Sequence, residues 1–239
     1  MTGVDTLILE LASKQETFTL KEAYQCCHVS LDEEKTKIRK RLSVLASSGK
    51  LVRKGSGTYA LSDNPVFRPN VSNEVKDLYE SLKSNYPFTK VCVYEGPWIS
   101  PLLHHMASNQ TIYIDVEKDA SEFVFDHLRS DGVKAYYKPD EDMIYRYVNL
   151  DERNVFVKNL VSEAPLQKID GIPVSTLEKI LVDIYCDKDF SYMQCSEYMR
   201  IAENAITLFN INKTKLLRYA KRRGAKEELE EIYNDLLKS

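Results

Sequence analysis

The sequence predicts a mixed α/β protein in two modules. An N-terminal winged helix-turn-helix would occupy residues 1–62. A linker over 63–70 would lead to an α/β domain over 71–239, helical from about residue 175. Three observations carry this reading. Residues 1–62 hold ten Lys/Arg against seven Asp/Glu, a net of +3, whereas 63–239 hold 23 against 29, a net of −6. Opposite signs in consecutive segments suggest modules with different tasks. The first segment reads helix, helix, helix, hairpin. The second alternates strand and helix patterns before turning helical.

In the first module, Val4, Leu7, Ile8, Leu11 and Ala12 recur at helical spacing. Thr19 and Glu22 form a capping box that opens a short helix, and Ser30 with Glu33 repeats the pattern before a third helix. Ile38, Leu42 and Leu45 give that helix one apolar stripe, and Gly49 ends it. LVRKGSGTYALS then reads as a hairpin with its tip at Gly55–Gly57. Three helices and a hairpin in about 60 residues is the winged-helix order, in which the third helix enters the major groove of DNA.

From Lys35 to Lys54 the chain holds eight basic residues and no acidic one. With the stripe facing inward, Thr36, Lys40, Ser43 and Ser47 point outward as base readers. Lys37, Arg39 and Arg41 lie on the flanks, and Lys50, Arg53, Lys54 and Ser56 on or beside the wing, where long cations suit phosphates. Operator DNA is therefore the expected partner.

In the second module SDNPVFRPN reads as linker. Val75, Leu78, Tyr79 and Leu82 mark a helix. Strands are expected at Lys90–Tyr94, Thr111–Val116, Val133–Tyr137 and Asn154–Val157, with helices at Pro97–Met106 and Ala120–Leu128. This alternation predicts a partly parallel sheet. IDGIPV reads as a tight turn between short strands. Helices are expected over Ser175–Tyr185, Gln194–Leu208, Lys213–Arg223 and Ala225–Leu237.

Chemical motifs are sparse. Asp115 and Glu117 leave a strand in IDVEKD, a place where carboxylates can hold Mg²⁺, but no ExK or Gly-Ser partner accompanies them. They read as exposed strand-end acids. His104-His105 lacks a third ligand at helical spacing, so no metal and no cofactor is expected. GxGxxG, GxxxxGK[ST] and GxSxG do not occur, so no catalytic residue is assigned. Lys213, Lys215, Arg218, Lys221, Arg222, Arg223 and Lys226 form a second basic cluster, either a phosphate or RNA surface or a solvated face. No apolar run reaches the roughly 18 residues that cross a bilayer, and the five cysteines lack a CxxC, so a reduced cytoplasmic protein is expected.

Two blocks carry a family resemblance. GKLVRKGSGTYALS (Gly49–Ser62) resembles the end of the winged helix that opens AbiEi-like antitoxins. IDGIPVSTLEKILVDIYCD (Ile169–Asp187) resembles that family's second-domain signature, carried here by Gly171, Ile172, Pro173, Val174, Glu178, Lys179, Leu181, Val182 and Asp183. Ile180 departs from it, where many relatives have threonine. The resemblance implies an antitoxin of a type IV toxin–antitoxin, or abortive-infection, system. It would repress its own operon and counter a nucleotidyltransferase-like toxin without a stable complex. From the residues alone, Glu178 and Lys179 also read as a surface pair, and Asp183 as a cap or a contact to a neighbouring loop. Two other functions stay open: a regulator with a ligand-sensing second domain, and a metal-dependent nuclease or nucleotidyltransferase using Asp115 and Glu117.

Overall fold

The computed structural model describes residues 3–103 and 109–237, with the side chain of Ser47 left out. It is a mixed α/β structure. The chain divides into two compact units: residues 1–67 with 206–212, and residues 68–205 with 213–239.

The first unit runs α1 (Gly3–Lys14), β1 (Phe18–Thr19), α2 (Leu20–Cys26), α3 (Asp32–Ser47), β2 (Leu51–Gly55) and β3 (Thr58–Leu61). Its sheet has the order β1-β3-β2, antiparallel throughout. The two-residue β1 lies below what periodicity detects. The expected capping box is present, with the Thr19 hydroxyl and the Glu22 carboxylate each taking the other's backbone N–H. The second expected box is not: the N-cap of α3 is Leu31, without a side-chain cap. Asp32, Glu33 and Glu34 in the first turn of α3 favour its positive dipole end instead. α3 closes as foreseen. Lys50 N–H bonds Leu45 O, Gly49 N–H bonds Ala46 O, and Gly49 takes φ +70°. Ile38, Leu42 and Leu45 bury against Ile8, Phe18, Ala23, Leu51 and Tyr59.

The expected linker is fastened to this unit. Phe67 is buried edge-on to Phe209, Asn210 N–H donates to Pro65 O, and the Asn64 side chain donates to Ile206 O. A Cβ at Gly49 would collide with Val66. The apolar residues among the prolines thus pack as a strap, and Ile206–Asn212 is the segment they meet.

The second unit runs α4 (Asn73–Asn85), β4 (Val91–Glu95), a 3-10 segment (Gly96–Leu102), β5 (Ile112–Val116), α5 (Ser121–Ser130), β6 (Ala135–Tyr137), α6 (Glu141–Tyr147), β7 (Val155–Asn159), β8 (Leu166–Ile169) and β9 (Ile172–Ser175). Then follow α7 (Leu177–Cys186), a further 3-10 segment (Lys188–Met193), α8 (Ser196–Leu208), α9 (Lys213–Arg223) and α10 (Lys226–Leu236). The six-stranded sheet has the order β6-β7-β5-β4-β9-β8. β6, β7 and β5 run parallel, as do β4 and β9, while β4–β5 and β8–β9 are antiparallel. The helix expected over Pro97–Met106 is instead a 3-10 segment, with Pro101 inside it. A proline there removes the N–H that an α-helical turn needs. His104 and His105 lie outside the described residues. The strands β4 and β5 are buried along their whole length.

Candidate functional site

The basic surface of the first unit sorts into free and committed side chains. Thr36, Lys37, Arg39, Lys40 and Ser43 on α3 are exposed, as are Lys50, Arg53, Lys54 and Ser56 in and beside the hairpin. Lys37, Lys40, Lys50, Arg53 and Lys54 make no ion pair among the described residues. The Thr36 hydroxyl donates back to Asp32 O at 3.0 Å, so it is spent within the helix. Arg39 donates Nε–H to the Tyr24 hydroxyl of α2 at 2.6 Å. A bulge between Arg53 and Gly55 turns the hairpin, and Arg53 Nε donates to Gly55 O at 3.2 Å.

Arg41 departs from expectation. Its guanidinium forks onto Asp5 of α1, with Nε to Oδ1 at 2.8 Å and a second nitrogen on Oδ2. Asp5 is only 2% exposed. A buried carboxylate needs a partner, and α3 supplies Arg41 to Asp5 from a distance of 36 residues in sequence. Arg41 is therefore an internal clamp between α1 and α3 rather than a free cation.

The second unit holds a charge network that the sequence reading left dispersed. Asp115 on β5, Lys158 on β7, Lys179 and Asp183 on α7, Asp187 and Asp189 just beyond it, and Arg223 on α9 converge. Asp115 and Lys158 are register partners on adjacent parallel strands. Lys179 Nζ bridges Asp115 and Asp183, the latter at 2.5 Å. Asp183 also accepts from Tyr219 Oη at 2.8 Å and Arg223 at 2.6 Å. Arg223 reaches on to Asp187. Lys158 donates to Asp187 and Asp189, each at 2.9 Å, with its ammonium 4.9 Å from the Phe190 ring centre.

Burial opposes charge on Lys158, but Asp189 and Asp187 outweigh it; for Lys179, Asp115 and Asp183 do the same, so both ammoniums stay above the usual lysine range. Burial raises Asp183 and Asp189. It pushes Asp187 the same way, but Lys158 and Arg223 win and hold that carboxyl low. The thiol of Cys92, facing Asp115 across the β4–β5 ladder, is pushed by burial up to about 12, which leaves it protonated and a poor nucleophile.

Two expectations are thereby corrected. Asp115 is buried, not an exposed strand-end acid, and Glu178 and Lys179 are buried at 6% and 3% exposure rather than a surface pair. Glu178 lies 3.9 Å from Lys215. Of the two roles expected for Asp183 the cap is taken by Thr176, whose hydroxyl accepts from Lys179 N–H, and Asp183 instead contacts Tyr219 and Arg223 of α9. α7 is buried from Leu177 to Ile184, packed between α9, β9 and the segment Lys188–Met193. The α7–α9 packing also draws Lys215 and Arg223 out of the second basic cluster, and Lys213 donates to Asn234 of α10. Gly171 has a plain role. Asp170 and Gly171 take φ +50° and +83° at the two-residue β8–β9 turn, the hand that a type I′ hairpin requires, and Pro173 follows within β9. Among the described residues no three His, Cys, Asp or Glu side chains converge as metal ligands.

Together these features define a two-unit mixed α/β protein with a basic helix–hairpin surface on one unit and a buried, internally paired charge cluster in the other. The chain belongs to a family of unknown function, DUF6577, whose model matches residues 37–239. No curated protein matches it. Among solved structures, the RV2827C protein from Mycobacterium tuberculosis is similar at 14% identity over 97% of this chain and 81% of that one, with a TM-score of 0.24. A score that low carries no argument. No helix among the described residues is long and apolar enough to cross a membrane.

Proposed function

We propose that the first unit is a winged-helix DNA-binding domain and that the chain is an operator-binding antitoxin of the AbiEi type. The observation that carries the DNA-binding part is the set of exposed cations without ion pairs, Lys37 and Lys40 on α3 and Arg53 and Lys54 on the hairpin. The element order and the antiparallel three-stranded sheet support the winged-helix reading. These four cations lie on the third helix and the hairpin, the two elements that a winged helix presents to DNA.

The antitoxin part rests on the likeness of Ile169–Asp187 to that family's second-domain signature. Lys179 and Asp183, two of its positions, are the hub of the buried network. On this reading the motif maintains the fold of the second unit, and a nucleotidyltransferase-like toxin is the functional partner. The protein would act in the cytoplasm.

The test measures affinity for DNA upstream of the protein's own reading frame, against a scrambled fragment, across a salt series. Each phosphate contact contributes about −0.9 to the slope of log K against log salt. Lys37→Ala should flatten that slope by about 1, and Lys40→Ala should narrow the difference between the two fragments. Equal affinity of the unsubstituted protein for both fragments, or a slope unmoved by Lys37→Ala, would sink the DNA-binding reading. Growth rescue by co-expression with a nucleotidyltransferase-like toxin tests the antitoxin part separately.

A further inference from the structure

The helix–hairpin surface of the first unit carries one cation that is held in place and still free to bind. Arg39 on α3 is exposed and makes no ion pair among the described residues. Its Nε–H donates to the Tyr24 hydroxyl of α2 at 2.6 Å, and its guanidinium carbon lies 6.0 Å from the centre of the Tyr24 ring. That contact fixes the far end of a long side chain. No described residue accepts from the two Nη groups beyond it.

Tyr24 is itself anchored. It is half-buried against the cluster that holds Ile8, Phe18 and Leu42. Its carbonyl accepts Val29 N–H at 3.0 Å, which closes the turn into α3. One helical turn earlier, Leu20 N–H donates to Gly57 O of the hairpin tip at 2.8 Å. A Cβ at Gly57 would stand 3.3 Å from the Leu20 side chain, so α2 rests closely on that tip. Hairpin, α2 and α3 thus form one frame, and Arg39 is a side chain that the frame holds.

A free arginine loses rotamer freedom when it grips a ligand. Here much of that ordering is already present before any ligand arrives. With Nε occupied, the guanidinium still offers its end-on pair of Nη groups, a fork that matches two oxygens of one phosphate. Arg39 lies to one side of the outward line through Lys40 and Ser43, toward α2. That place suits the backbone at the rim of a groove rather than a base edge. We propose that Tyr24 is a positioning residue that holds Arg39 as a preformed clamp for one DNA phosphate. The inference rests on the winged-helix reading and adds to it a residue that acts only through Arg39.

The experiment uses the full chain, the upstream and scrambled DNA fragments, and a salt series. It compares Tyr24→Phe, Arg39→Ala and the double variant with the unsubstituted protein, and takes Lys37→Ala as reference. Tyr24→Phe keeps the ring and removes only the hydroxyl. It is expected to weaken affinity for both fragments about 3- to 10-fold, the cost of ordering one arginine, and to leave the salt slope unchanged. Arg39→Ala should flatten the slope by about 1 on both fragments. In the Arg39→Ala background, Tyr24→Phe should have no further effect. A damaged fold would instead weaken binding by the same factor in both backgrounds, and that result would overturn the proposal. So would undiminished affinity in Tyr24→Phe, or a loss in Arg39→Ala confined to the upstream fragment, which would put Arg39 on a base. If Lys37→Ala flattens the slope while Tyr24→Phe does nothing, this inference alone fails. If Lys37→Ala also leaves the slope unmoved, the DNA-binding reading fails with it.

Discussion

Lys179→Met isolates the buried network. The substitution keeps most of the aliphatic volume, so little cavity is added, and it removes only the ammonium. Two carboxylates lose a partner. Asp183 retains Arg223 and Tyr219 at 2.6 and 2.8 Å. Asp115, 7% exposed, retains no direct side-chain partner, because Lys158 on the adjacent strand is already held by Asp187 and Asp189. Removing one member of a buried pair costs about 3–5 kcal/mol. For a unit of this size, with about 2–4 °C per kcal/mol, the melting temperature should fall by roughly 6–20 °C. Trp98, the sole tryptophan, lies in the second unit and donates its indole N–H to Asn70 O at 3.0 Å, so its fluorescence reports this transition in urea. Adding Asp115→Asn should recover about half of the loss, because the orphaned charge is then gone. A loss under about 1 kcal/mol for Lys179→Met, or losses that simply add in the double variant, would refute the account of Lys179 as the neutralising bridge.

Three further outcomes are expected. Arg41→Ala should lower the unfolding midpoint of the first unit, and Asp5→Asn in the same chain should restore part of it, whereas Lys40→Ala should leave the midpoint unchanged; tyrosine near-UV dichroism reads all three. Gly171→Ala should cost about 1–2 kcal/mol, a pure backbone penalty at φ +83° since nothing lies within 4 Å of the added Cβ, and a neutral result in urea would remove the turn's requirement for glycine. The lysines set the alkaline limit. Their folded pKa values exceed the unfolded one, so their contribution is complete below about pH 10.4 and is lost as pH rises through the folded values. Urea midpoints of the second unit should therefore decline above about pH 10.4, less steeply in Lys179→Met.

The first unit was largely legible because its determinants are local. The stripe Ile38, Leu42, Leu45, the cap at Thr19 and the stop at Gly49 act within a turn or two of themselves. What escaped was the fate of Arg41, since its partner Asp5 is set by the crossing of α1 and α3. In the second unit the strands were legible from their β-branched runs, but α6 passed unnoticed, being seven residues long with only Ile144 buried.

Sequence alone determined the two-part charge distribution, the helix–hairpin order of the first unit, the mixed α/β character of the second and the tight turn at Asp170–Gly171. Each follows from periodicity, caps or backbone sign, which neighbouring residues decide among themselves. Tertiary structure alone decided which charges are free. Lys37 and Arg41 flank the same apolar stripe and are told apart by nothing in the sequence pattern. They differ by what packs over them, and a charge that is covered must find a partner, while one left in water need not.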